Sequence, residues 1–82
     1  MNLTKQEIKD KNLKIYYRVV EWDEMYYKIN DIVGRYETLK EARQACYKWW
    51  KETCEESWLE IQKYKLNEET GKYQMVKDDY KI

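Results

Sequence analysis

The chain has no histidine, no phenylalanine and no proline, and its 82 residues include one serine, Ser57, and two glycines, Gly34 and Gly71. Without histidine, the commonest general base and a principal zinc ligand are missing. A lone serine with no histidine excludes the Ser–His nucleophile, and two isolated glycines cannot build a phosphate-cradling loop. The opening MNLTKQEIKDKN is too polar for a secretory signal, and no apolar run approaches the ~20 residues that a membrane helix needs. A cytoplasmic protein with no membrane partner is therefore expected.

Cysteine is also scarce. Cys46 and Cys54 fall on one expected helix, eight residues and about 12 Å apart at 1.5 Å per residue. A disulfide needs its Cα atoms at about 5.5 Å, and there is no C-x-x-C pair, so both thiols read as small buried hydrophobes with no metal to hold. The carboxylate pairs at 55–56, 68–69 and 78–79 read as solvated charge. Neither catalytic residues nor a cofactor are expected, and the chain is read as a non-enzymatic module forming one domain over 1–82.

Charged residues make up 39% of the chain, and sixteen basic and sixteen acidic side chains cancel. The cancellation is uneven along the sequence. Residues 1–20 hold five basic and two acidic groups, whereas residues 21–37 hold two and five, a local charge of −3 (2 − 5). Nine tyrosines and four tryptophans supply all the aromatic mass, so the core must be built partly from rings with a polar tip.

Thr4 and Glu7 are spaced as a capping box, Leu3 and Ile8 as the hydrophobic staple around it, and Asn12 as a left-handed stop that lets Leu13 fold back on Ile8. From Lys14 the pattern turns to strand. KIYYRVVEW is β-branched and aromatic, DE offers a turn, MYYKIND returns, and Gly34 marks a bulge or bend before Tyr36. Thr38 and Glu41 form a second capping box. In the helix that follows, Leu39, Ala42, Cys46, Trp49, Trp50 and Thr53 share one arc, with the two indoles on its shoulders. SWLEIQKYKL, the loop NEETG and KYQMVK then read as a strand hairpin. The expected fold is α+β: a short N-terminal helix, then ββαββ, with an antiparallel sheet packed on one long helix.

Period-two alternation assigns Ile15, Tyr17, Val19, Tyr27, Ile29, Leu59, Ile61, Tyr73 and Met75 to the helix side of the sheet. The other side receives Tyr16, Arg18, Val20, Trp22, Tyr26, Lys28, Trp58, Glu60, Gln62 and Tyr64. Open sheet faces are normally Lys, Glu and Thr, whereas aromatics with arginine are enriched at recognition interfaces. Tyr16, Arg18, Trp22, Tyr26, Lys28, Trp58 and Tyr64 are therefore the candidate partner-binding residues. Homodimer burial and plain cross-strand stabilisation are the competing explanations of this face. A protein partner is expected, the chain itself being a monomer or a homodimer.

YR at 17–18, W at 22, YKI at 27–29 and VGRYETLKEARQACY at 33–47 resemble the three-strand-plus-helix DNA-binding domain of ethylene-response transcription factors, found also in transposon integrases and phage homing endonucleases. The resemblance spans 17–50 and implies a sheet that enters DNA, which gives a small DNA- or RNA-binding domain as the alternative function. Arg18, Arg35 and Lys28 would then meet phosphates while Tyr16, Trp22 and Tyr26 stack. The local charge of −3 opposes such contacts. In overall character, a small Lys-, Glu- and Tyr-rich chain also resembles phage and mobile-element proteins that inhibit bacterial defence systems such as CRISPR by occupying a host protein.

Overall fold

The computed structural model describes residues 2–23, 25–53 and 58–76. Glu24, Cys54, the 55–56 and 78–79 carboxylate pairs and Ser57 lie outside the described residues, as does the side chain of Thr53. The fold is α+β. Helix α1 (Lys5–Asp10) is followed by strands β1 (Ile15–Asp23) and β2 (Lys28–Tyr36), helix α2 (Leu39–Thr53), and strands β3 (Leu59–Asn67) and β4 (Lys72–Val76). The four strands form one antiparallel sheet in the order β2-β1-β3-β4. Among the described residues, no helix is long and apolar enough to cross a membrane.

Local chemistry sets both helix starts. Thr4 Oγ1 accepts from the Glu7 amide at 3.1 Å while Glu7 Oε1 accepts from the Thr4 amide at 3.3 Å, a complete capping box. Asn12 then takes φ 52°, and the amides of Asn12 and Leu13 donate back to the carbonyls of Lys9 and Ile8. That pairing ends α1 as a Schellman motif. At α2, Thr38 Oγ1 accepts from the Glu41 amide at 3.2 Å.

Helix α2 lies across β2 and β1 and reaches β3. Beneath it, Val19, Tyr36, Ala42, Cys46, Leu59 and Ile61 are buried, with Trp49 and Trp50 both half-buried against them. The adjacent indoles are thus accommodated on the two shoulders of the stripe, because the sheet below is wide enough to receive both.

Three expectations need correction. The second strand begins at Lys28, not at Met25, because Asp23 caps a longer turn. Its Oδ1 accepts from the amides of Met25 and Tyr26 at 2.9 and 3.4 Å, its carbonyl accepts from Tyr27, and Tyr27 sits at φ 52°. Tyr27 and Tyr26 therefore belong to the turn and neither to a sheet face.

The parity of β2 also changes along its length. Val20 pairs with Ile32 where Val19 pairs with Gly34, and Trp22 pairs with Ile29 where Glu21 pairs with Asp31. Val33 and Asn30 are the extra residues of two bulges. Ile29 accordingly lies beside Trp22, on the side away from α2. In β4, Tyr73 pairs with Leu66 and Met75 with Tyr64, so both lie on that same far side and not in the α2 core. Ile15 keeps its expected side but is exposed.

Finally, the far face is not open along its whole length. Leu3, Ile8 and Tyr16 are buried together, with Leu13, Tyr64 and Tyr73 packed around them, and Tyr73 Oη donates to the Leu13 carbonyl. Helix α1 thus caps one end of this face and makes a second small core. Tyr16, expected on an exposed surface, is 8% accessible, and Val20 is fully buried.

Candidate functional site

The seven candidate residues separate into a covered end and an open end. At the covered end, Tyr16 stacks on Tyr64 with centroids 5.1 Å apart and 6° between planes, and meets Tyr73 edge-on at the same distance. Burial raises the Tyr16 pKa, with Tyr64 and Tyr73 acting the same way and Arg35 and Arg18 opposing. Tyr16 and Tyr64 therefore serve packing, and Tyr16 is out of reach of a partner.

In the middle, Arg18 donates from Nε and an NH2 group to Gln62 Oε1 at 2.9 and 2.7 Å, and its guanidinium lies 5.2 Å from the centre of the Tyr64 ring. Directly across the β1–β2 ladder from Arg18 stands Arg35.

The open end begins at Trp22. Its amide donates to the Trp58 carbonyl at 2.9 Å, the two indoles lie 6.1 Å apart at 34°, and Trp22 Nε1 donates to Glu60 Oε2 at 3.2 Å. Both indoles are half-buried. Beside them on β2, Ile29 and Ile32 are exposed. Beyond them the turn presents Met25, Tyr26 and Tyr27 at 77%, 68% and 76% exposure, with Lys28 Nζ 5.5 Å from the centre of the Tyr26 ring. The acidic groups of this end are occupied locally. Glu21 accepts from Asn30 at 3.0 Å, Asp23 caps the turn, and Asp31 accepts from the Ile32 amide at 2.8 Å.

The structure thus joins Trp22 and Trp58 into one patch with Tyr26 in the turn at its tip, whereas Lys28, expected on the same face, pairs with Asp23 on the opposite parity of the sheet and meets the Tyr26 ring from there. Sequence reasoning missed Met25, Tyr27, Ile29 and Ile32. The signal for the first two was Asp23, whose side chain favours an Asx-type turn over immediate strand. The two isoleucines were hidden by the bulges.

Titratable groups elsewhere move away from nucleophilic character. Burial pushes the Cys46 thiol up to about 11 and raises Tyr36, with Cys46 and Glu41 adding to the effect on Tyr36. Among the described residues no cluster of three or more Cys, Asp or Glu side chains could hold a metal ion. No family model, curated protein or solved structure matches this chain.

Proposed function

We propose that this protein is a non-enzymatic binding module that engages a partner protein through the turn and open sheet end formed by Met25, Tyr26, Tyr27, Ile29, Ile32, Trp22 and Trp58. The observation that carries the reading is the exposure of Met25, Tyr26 and Tyr27 on three successive residues, contiguous with two exposed isoleucines. Exposed side chains of this size forfeit burial energy in the free protein, and Met, Tyr and Trp are the types enriched where partners dock. The backbone supports the reading. Asp23 accepts from the amides of Met25 and Tyr26, and Tyr27 takes a left-handed φ of 52°, which reduces the backbone ordering that binding must supply at these residues. A module of this kind acts by occupancy, the mode of a phage-type inhibitor of a host defence protein.

The rival reading, a nucleic-acid module using Arg18, Arg35 and Lys28, draws on the pairing of the two arginines across the ladder. Against it stand Glu60 on the same face, and Glu21, Asp23 and Asp31 on the other parity of the same strand ends, whose negative charge would oppose a phosphate backbone. Capture from a lysate of the source cells, with and without nuclease and across a salt series, separates the two. The protein-partner reading predicts nuclease-resistant capture that weakens modestly with salt. Loss on nuclease treatment, with affinity falling steeply against log salt, overturns it.

A further inference from the structure

Helix α2 packs on β2, β1 and β3 and leaves the β3–β4 half of its side of the sheet uncovered, where Ile15, Lys65, Lys72 and Gln74 are exposed. Lys63 and Lys65 continue the parity of Leu59 and Ile61, which are buried beneath α2. The ladder sets Lys63 beside Tyr17 and Val76, Lys65 beside Ile15 and Gln74, and Lys72 beside Asn67. Lysines from two neighbouring strands thus share one face, with no carboxylate on this half of it among the described residues. In the turn beyond, Glu68 is held by Lys14 at 3.0 Å. The helix supplies a second wall. Its Glu41, Ala45 and Lys48 line a cleft with Asn2, which binds the outer strand β2 by accepting from the Arg35 amide. The opposite shoulder of α2, where Arg43, Tyr47 and Trp50 follow one another at helical spacing, therefore overlooks the uncovered half of the sheet. Arg43 is exposed, Tyr47 is 63% exposed, and the Tyr47 ring meets Trp50 edge-on with centroids 5.8 Å apart.

We infer that the trough between α2 and the β3–β4 half of the sheet binds single-stranded nucleic acid, with Arg43, Lys65 and Lys72 on the phosphates and Tyr47 as the platform for a base. Cations spread over both walls suit a repeating negative charge, whereas a lone anion would engage one of them. The exposed ring decides between polyanions. An acidic peptide would satisfy the lysines and leave Tyr47 idle, but every base has a face to stack on it. The trough lies on the opposite side of the sheet from Trp22 and Trp58, so it does not rest on the protein-binding reading and can be filled while the turn holds a protein.

The test is fluorescence anisotropy with labelled oligothymidylate and oligouridylate of about ten nucleotides, a length within the usual range for one small domain. Polyglutamate and a duplex of equal length serve as competitors. Saturable binding is expected, with log affinity falling against log salt at a slope of about −2, three phosphate contacts at about 0.7 each. Lys65→Gln/Lys72→Gln should flatten that slope by about 1.4, two contacts at about 0.7 each. Tyr47→Ala should weaken binding about fivefold or more with the slope unchanged, the mark of a lost stacking contact, and Tyr47→Phe should restore it. All three positions are exposed, and melting curves matching the parent chain show that the variants fold. No saturable binding, a slope unmoved by the lysine changes, an affinity unmoved by Tyr47→Ala, or polyglutamate or duplex competing as well as the single strand would each overturn the proposal. Met25→Ala/Tyr26→Ala should leave the titration unchanged, so failure of the trough and failure of the turn as a docking site are read separately.

Discussion

The Tyr36 phenol lies over Gly34: a Cβ built on that glycine would stand 2.5 Å from Tyr36 Oη and 2.8 Å from its Cζ. Gly34 sits at the β2 bulge, and Tyr36 belongs to the core under α2, so the ring has little room to retreat. Gly34→Ala should therefore destabilise the fold by about 1–3 kcal/mol, the usual range for overpacking. Tyr36→Phe removes the nearest atom, and chemical denaturation of the single and double variants should show the two changes to be non-additive, with the alanine costing less in the Tyr36→Phe background. Additive costs would place the strain elsewhere.

Helix α1 is a structural element of the sheet and not a decoration. Ile8 is 2% exposed against Leu3 and Tyr16. Ile8→Ala should cost about 2–5 kcal/mol, and Thr4→Ala about 1 kcal/mol through loss of the cap. Both are read by thermal melting followed by far-ultraviolet dichroism. A melting curve unmoved by Ile8→Ala would mean that the far face is open after all.

High pH should unfold the protein in a defined window. The Cys46 thiol ordinarily ionises at 9.0 and is pushed to about 11 by burial, so the folded chain holds that proton more tightly than the unfolded one. Its contribution is complete below pH 9 and is lost as pH rises through about 11. Tyr16 and Tyr36, raised by burial above 10.0, act in the same direction. Urea unfolding measured across this range should show stability falling from pH 9 upward, with a shallower fall in Cys46→Ala. A flat profile would show that these groups are solvated in the folded state.

Much of the fold was legible because it is written in local signals. Thr4 with Glu7, Asn12 as a left-handed stop and the stripe from Leu39 to Trp50 each act within a few residues and appear as read, and Thr38 caps α2 through the Glu41 amide while the Glu41 carboxylate accepts from the Thr38 hydroxyl. What was not legible depends on pairing between distant strands. Gly34 marked the bulge beside Val33, but nothing near Asn30 announced the second one, and each skip moves every later side chain of β2 to the other face. Likewise, the register of β4 against β3 decides that Tyr73 joins Tyr16 beneath α1. Trp22, Trp58, Tyr26 and Lys28 could be picked out by their chemistry. The distinction between Tyr16, which packs, and Tyr26, which projects, required knowing where α1 lies.

The central claim is that the projecting turn binds while contributing little to folding, and a paired measurement on Met25→Ala/Tyr26→Ala tests it most directly. Melting and partner affinity are measured on the same preparation, the affinity by calorimetric titration with the protein captured from source-cell lysate. Both side chains are more than two-thirds exposed, so stability should change by no more than about 0.5 kcal/mol. Affinity should fall by a factor of about 30 or more, the loss expected when an interface anchor is removed. A variant that melts like the parent chain and binds the partner with unchanged affinity would contradict the account.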